Sequence, residues 1–94
     1  MPVFRMKPVV VEAKQWLPGD REAAGDVLGW LAAADVDAFI VRGRAERSVL
    51  GIRTREGVIE FRPGDWVIRG VAGEFSKCRR DLLDVTCQPV EEVA

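Results

Sequence analysis

The residue types that most often carry catalysis are scarce in this chain. It contains no histidine, which removes the most common general base and the most common metal ligand. Two thiols, Cys78 and Cys87, do not complete a tetrahedral zinc site without histidine. Cys78 stands between Lys77 and Arg79, a setting that favours a reactive thiolate, but no histidine base accompanies it. The composition therefore predicts a protein that is not an enzyme and holds no cofactor or metal, with Cys78-dependent chemistry as the exception.

Aromatic and basic side chains instead indicate binding. Two tryptophans each lie beside a Pro-Gly turn, where an exposed ring can face a ligand, and one of them has cations close by in sequence. A ring with cations beside it can grip a nucleobase and its phosphate. The competing interpretation is that each ring belongs to the small core, which needs most of the aromatic residues. The predicted ligand-binding residues are Trp16, Trp66, Arg69, Lys77 and Arg80.

Charge is distributed unevenly, although the net charge is only −1. An acidic segment over residues 20–37 precedes an arginine-rich segment over residues 42–62. One interpretation is two solvated faces that attract each other. The other is an anion or phosphate site on the arginine-rich strands, because a guanidinium suits phosphate. The near-neutral total argues against a general nucleic-acid or anionic-membrane binder.

The length of 94 residues suits one domain with one core. We therefore expect a single domain over residues 1–94, with a frayed tail at 90–94. No stretch approaches the roughly 20 apolar residues of a membrane helix, and no signal peptide is expected at the N-terminus.

The first half of the chain predicts a strand, a helix and a second strand. Residues 8–16 are rich in β-branched residues and predict a strand. Asp20 is a typical helix N-cap, and apolar residues follow it at helical spacing. Gly25 and Gly29, four residues apart, are expected to let this helix lie close to a sheet. Residues 38–41 predict the second strand.

The second half predicts short strands and tight turns. Alternation on either side of Glu56-Gly57 predicts a hairpin with one buried and one wet face. Residues 63–65 predict a turn, and residues 83–90 predict the last strand. The buried face is predicted to hold Leu50, Ile52, Ile59 and Phe61, and the wet face Arg53, Arg55, Glu60 and Arg62.

These elements predict an α+β fold. One helix would pack on a mainly antiparallel, strongly curved sheet, or on a partly open small barrel, of about six to seven short strands.

Two phrases, "MKPVVVEAKQW" and "PGDWVIRGVAGEFSKCRRDLLDVTCQPV", resemble the two ends of a family of small bacteriophage and prophage proteins. The shared pattern is Lys-Pro-Val-x-x-Glu-Ala-x-Gln-Trp at the start and Pro-Gly-Asp-aromatic, Gly-Glu-Phe and Cys near the end. The resemblance covers roughly half of the chain. It departs from the family at Ser76, where an aromatic residue is common, and at Arg79-Arg80, where Lys-Pro is commoner. It implies phage or prophage origin and action in the cytoplasm of a bacterial host, and it does not imply an enzyme.

Two functions are consistent with these observations. The first is a non-enzymatic binding protein that sequesters a host protein or a small anionic, nucleotide-like ligand. The second is a minor virion structural or assembly protein that forms symmetric oligomers through paired sheet edges. A homo-oligomer is expected in either role, and neither a membrane nor a nucleic acid is an expected partner.

Overall fold

One helix and two antiparallel three-stranded sheets make up the computed structural model, which describes residues 11–79. In the first sheet, β5 (Trp66–Arg69) lies between β1 (Glu12–Gln15) and β6 (Phe75–Cys78). In the second sheet, β3 (Val49–Thr54) lies between β2 (Ala38–Arg42) and β4 (Gly57–Phe61). Helix α1 (Arg21–Ala33) connects β1 to β2, and a short 3₁₀ turn (Ala45–Arg47) precedes β3.

The α+β class is confirmed, but the single curved sheet or partly open barrel is not. Within residues 11–79 the strands divide into two sheets, because β1 pairs with β5, while β2, β3 and β4 pair only with one another. β4 and β6 approach each other where the sheets meet, without sharing a ladder. A barrel needs continuous strand pairing around its circumference, so the part of the chain at 11–79 is not a closed barrel. The strand predicted at 83–90 lies outside the described residues.

The predicted hairpin faces are confirmed. Leu50, Ile52 and Phe61 are fully buried, and Ile59 packs against the same cluster. Arg53 and Arg55 are exposed on or beside the opposite face. The sheet therefore has one dry and one wet side, as strict alternation requires. The buried cluster that joins the helix and both sheets consists of Trp16, Val27, Leu31, Leu50, Ile52, Phe61 and Val67.

Both ends of α1 have local hydrogen-bond caps. The Asp20 carboxylate accepts hydrogen bonds from the backbone N–H groups of Glu22 and Ala23, at 3.1 Å each, which confirms the predicted N-cap. At the other end, Val36 N–H donates to the Leu31 carbonyl at 3.0 Å, and Asp35 takes a left-handed φ of 59°. This is a Schellman-type end with aspartate in place of the usual glycine. It directs the chain from the helix into β2.

The two helix glycines do not provide a close approach to a sheet. Val27 and Leu31 are the helix side chains that enter the core, whereas Gly25 and Gly29 are exposed. A Cβ atom built on either glycine would meet no neighbour within 4 Å. The expectation for this pair was wrong because helical periodicity places both glycines outside the arc that faces the sheets.

The glycine that does permit close packing is Gly51, in the middle of β3. It pairs with Phe39 on β2 and Glu60 on β4, on the wet face of the second sheet. A Cβ atom here would lie 2.6 Å from Val41 Cγ2 and 2.9 Å from Phe39 Cε2. The absence of a side chain therefore lets the Phe39 ring lie over the strand. Arg53 covers that ring in turn, with Cζ 5.3 Å from the ring centroid.

Gly51→Ala and Gly25→Ala should shift stability in opposite directions. Gly51→Ala should destabilise the protein by about 1–3 kcal/mol, because Phe39 and Val41 must move. Gly25→Ala should stabilise it by up to about 1 kcal/mol, because the site is open and helical. Urea unfolding of the two variants measures both effects. A neutral Gly51→Ala variant would contradict the packing described for the wet face.

Candidate functional site

Trp16, one of the predicted ligand-binding residues, is a core residue. Its side chain is only 2% exposed, so the expected ring facing a ligand is wrong. The indole Nε1–H donates to the Ser48 carbonyl at 2.8 Å, immediately before β3. The Pro-Gly turn that follows Trp16 does not expose the ring, because the ring crosses the gap between the two sheets and packs between them.

A tight turn at residues 62–65 sits against the end of β1. Trp16 N–H donates to the Asp65 carbonyl at 2.8 Å, and Gly64 N–H donates to the Trp16 carbonyl at 2.7 Å. Gln15 Nε2 adds a bond of 2.9 Å to the Gly64 carbonyl. Residues 63–65 form the turn that the sequence predicted, and proline followed by glycine with φ of 95° fits type II. This turn is therefore held in place from β1.

The Asp65 carboxylate closes the turn from inside. It is 8% exposed and accepts a hydrogen bond of 2.9 Å from the backbone N–H of Arg62. The Asp65 N–H in turn donates to the Arg62 carbonyl at 3.0 Å. These reciprocal bonds fix the backbone from which the Arg62 side chain projects.

A β-bulge at Val41 sets the position of Arg42. Ile40 pairs with Leu50 on the core side, but Arg42 pairs with Val49 because one extra residue lies between them. Regular alternation would place Arg42 on the core side with Ile40. The bulge moves it to the wet side, which Glu60 also occupies by its pairing with Gly51. Arg42 Nη1 donates to Glu60 Oε1 there.

A charged cleft lies where the edge of the second sheet meets the end of the first. Its volume is about 550 Å³. Among residues 11–79, four cationic and two carboxylate side chains line it, an excess of two positive charges in this part of the chain. We call it the charged cleft, and its lining residues are Arg42, Glu60, Arg62, Asp65, Lys77 and Arg79.

The two carboxylates of the charged cleft already have partners. Glu60 is bound by Arg42, and Asp65 is bound by the backbone of Arg62. Neither Arg62 nor Lys77 forms an ion pair with any residue in the range 11–79. The charged cleft therefore presents the exposed Arg62 and Lys77 side chains toward solvent, and neither has a carboxylate partner within residues 11–79. Such an arrangement attracts anions and suits phosphate or carboxylate groups.

The remaining predicted site residues do not come together. Lys77 lines the charged cleft and pairs with Val67, so these two side chains share one face of the first sheet. Trp66 is the neighbour of Val67 on β5, and its side chain therefore lies on the opposite face. Arg69 lies beside a different cavity and stacks on Phe75, with Cζ 5.7 Å from the ring centroid. The expected grip of Trp66 with these cations is therefore not formed. Arg80 lies outside the described residues.

The second cavity, of about 520 Å³, is a weaker candidate. Its charged lining residues are one carboxylate, Glu12, and one guanidinium, Arg69, so it has no excess charge. The rest of its lining includes Val11, Val71 and glycine backbone. This cavity offers little that would select a ligand.

The arginine-rich segment contributes to the charged cleft only in part. Arg53 is bound to Asp37, with Nε 3.1 Å from Oδ2, and it covers Phe39 rather than the charged cleft. This pair joins the arginine-rich segment to the acidic one, as expected if the two segments attract each other. Arg42 and Arg62 are the segment's two members in the charged cleft. Sequence reasoning placed both in its anion-site hypothesis, but no pattern separated them from the other arginines.

Glu60, Asp65 and Arg79 are lining residues that sequence reasoning did not select. Glu60 was predicted only as a wet-face residue and Asp65 only as a turn residue. Their meeting depends on how β4 approaches β6, which has no local sequence signal.

No three carboxylate or thiol side chains within residues 11–79 are grouped so that they could hold a metal ion. The same residues contain no helix both long and apolar enough to cross a bilayer. Comparison of the chain with protein-family models, curated proteins and solved structures gives no significant match. The case for a function therefore comes from the charged cleft and from the resemblance of the two chain ends.

Asp65→Ala should destabilise the protein by about 1–3 kcal/mol, because the Arg62 N–H loses the acceptor of a part-buried hydrogen bond. Asp65→Asn should cost less, since the amide oxygen can still accept that bond. Asp37→Ala is the matched control, because it removes an exposed ion pair worth at most about 1 kcal/mol. Thermal unfolding ranks the three variants. Equal losses for Asp65→Ala and Asp37→Ala would show that Asp65 does not hold the turn.

Proposed function

We propose that this protein is a small non-enzymatic binding protein that takes up an anionic, phosphate-bearing ligand in the charged cleft. The observation that carries the proposal is the pair Arg62 and Lys77. Two cations from different sheets line one cleft, and neither has an ion-pair partner within residues 11–79.

The charge balance of the cleft supports an anionic ligand. Its lining has an excess of two positive charges in a chain whose net charge is −1, so the positive potential is local rather than general. A local positive cleft favours a compact anion over a long polyanion such as duplex DNA, which needs an extended basic surface. Planar guanidinium groups can bind phosphate oxygens through two parallel hydrogen bonds.

The size of the cleft supports a small molecule. A volume of about 550 Å³ falls within the roughly 300–1,000 Å³ typical of small-ligand sites. It exceeds the space that a single phosphate group fills, so it has room for a diphosphate or for a phosphate attached to a further group. Nucleotide-like ligands belong to this class.

The framework of the cleft supports binding without large rearrangement. Arg62 projects from a turn closed by Asp65 and held from β1, and Lys77 projects from a paired strand. Preorganised donors reduce the ordering cost of binding. A binding role without catalysis agrees with the lack of histidine in the chain. The family resemblance supports sequestration of such a ligand in the cytoplasm of a phage-infected bacterium.

Loss of either Arg62 or Lys77, which have no ion-pair partner in the described part of the chain, should weaken anion binding. Arg62→Gln should reduce affinity for pyrophosphate roughly 10- to 100-fold, because a charged hydrogen bond contributes about 1.5–3 kcal/mol. Lys77→Gln should act in the same direction. Arg55→Gln removes the same charge at the exposed β3–β4 turn, outside the cleft, and should leave affinity nearly unchanged. Titration with pyrophosphate, followed by two-dimensional NMR at low salt, measures all three.

The proposal fails if pyrophosphate at millimolar concentration leaves the amide signals around Arg62 and Lys77 unmoved. It also fails if Arg55→Gln weakens binding as much as the cleft variants, since attraction would then be non-specific. Binding to the charged cleft should weaken as salt is added, because opposite charges are screened.

A second candidate function, assembly through sheet edges, is favoured by one observation. Ile40 lies on the core-facing side of β2 yet is 47% exposed, and β2 is an edge strand of the second sheet within residues 11–79. An exposed apolar residue on an open strand edge is a surface that a second copy can cover. This would suit a minor virion component.

Ile40→Lys should dissociate such an oligomer, because a charge at an apolar strand edge opposes pairing. Val71→Lys is the control, since Val71 is 77% exposed but lies in the turn between β5 and β6, outside the strands. Sedimentation velocity over a range of concentrations detects the difference. A wild-type protein that stays monomeric throughout would exclude this role.

A further inference from the structure

We infer that Glu60 is a built-in competitor for the ligand of the charged cleft: its carboxylate occupies the Arg42 guanidinium until a phosphate group displaces it. The inference rests on the proposed function and adds a regulatory element to the same site. It assigns Arg42 and Glu60 opposite roles, although both line the cleft.

The geometry that carries this inference is the meeting of Arg42 and Glu60 on the wet face of the second sheet. The bulge at Val41 brings Arg42 to that face, and the pairing of Gly51 with Glu60 places the carboxylate there too. Arg42 Nη1 then donates to Glu60 Oε1. Both Cα positions are held by strand pairing, so only the two side chains need to move when the pair opens.

The pair is weak enough to open. The Arg42 side chain is 55% exposed and the Glu60 side chain 42% exposed. Ion pairs with this much solvent contribute at most about 1 kcal/mol. A phosphate group offers more negative charge and more acceptor oxygens than a carboxylate, and it can bind a guanidinium with two hydrogen bonds. A phosphate group in the charged cleft can therefore displace Glu60 as the partner of Arg42.

The competitor has a definite effect on affinity. An anion that binds Arg42 through Nη1 must first break the bond to Glu60 and then share the cleft with the displaced carboxylate. Glu60 therefore lowers the affinity of the charged cleft for anions, and it excludes anions whose charge is too small to displace it from Arg42. The ligand class that this selects is a phosphate monoester or a diphosphate rather than a singly charged carboxylate.

Glu60→Gln should bind pyrophosphate about fivefold more tightly than the wild type, which corresponds to the roughly 1 kcal/mol upper limit for such a pair. Glu56→Gln is the matched control, because it removes the same charge at the exposed β3–β4 turn, outside the cleft. Its affinity should stay at the wild-type value. Calorimetric or NMR titration with pyrophosphate gives the three dissociation constants.

The side-chain Nε–H signal of Arg42 reports the exchange directly. In the absence of pyrophosphate it should differ between the wild type and Glu60→Gln, because the guanidinium has a different partner. At saturation the two signals should converge, because both guanidinium groups then bind phosphate.

The outcomes separate this inference from the proposed function. Suppose that Arg62→Gln abolishes binding but Glu60→Gln leaves affinity unchanged, or the wild-type Arg42 signal does not move. Glu60 is then not a competitor, and the anion site stands. Equal tightening in Glu60→Gln and Glu56→Gln would also overturn the inference, since it would reflect net charge alone. If no variant binds pyrophosphate, both proposals fall together.

Discussion

The indole of Trp16 and the backbone around it join the two sheets, and the rest of the fold depends on that junction. The ring lies in the core, and its Nε1–H bonds to the segment that enters β3. Its own N–H and carbonyl bond to the turn that leads into β5. One residue therefore ties the end of the first strand to both sheets. Since the same turn carries Arg62 and Asp65, the core anchor and the charged cleft share a framework.

Local patterns in the sequence predicted much of the secondary structure. Asp20 is an N-cap because a carboxylate before an apolar helical stripe satisfies free N–H groups, which is a purely local cause. The buried faces of β3 and β4 follow from alternation, which is local as well. The close approach expected at Gly25 and Gly29 is not formed, because glycine spacing does not reveal which helix face meets the sheets. The division into two sheets depends on pairing between distant strands, for which local patterns carry no signal.

The site was harder to predict for the same reason. The sequence singled out an arginine-rich segment, yet only Arg42 and Arg62 reach the charged cleft, and Arg53 is bound to Asp37 and Phe39 instead. Lys77 arrives from the other sheet. A tryptophan beside a turn, such as Trp16, can have either an exposed or a buried ring, and only the three-dimensional packing shows that this ring is buried. The sequence shows which side chains are charged and with which sign, but it does not show which partner each charged side chain has in the fold.

The extra residue at Val41 has a consequence for how such a protein can diverge. Strand pairing resumes on both sides of the bulge, so a chain with one more codon in β3, between Val49 and Leu50, could pair Val41 with the added residue and keep its second sheet. Arg42 would then alternate onto the face of Ile40, and the cleft would lose a guanidinium without any substitution. A neighbouring insertion could restore it. The electrostatic character of the cleft is thus encoded partly in strand length, a property that changes by insertion and deletion rather than by amino-acid replacement.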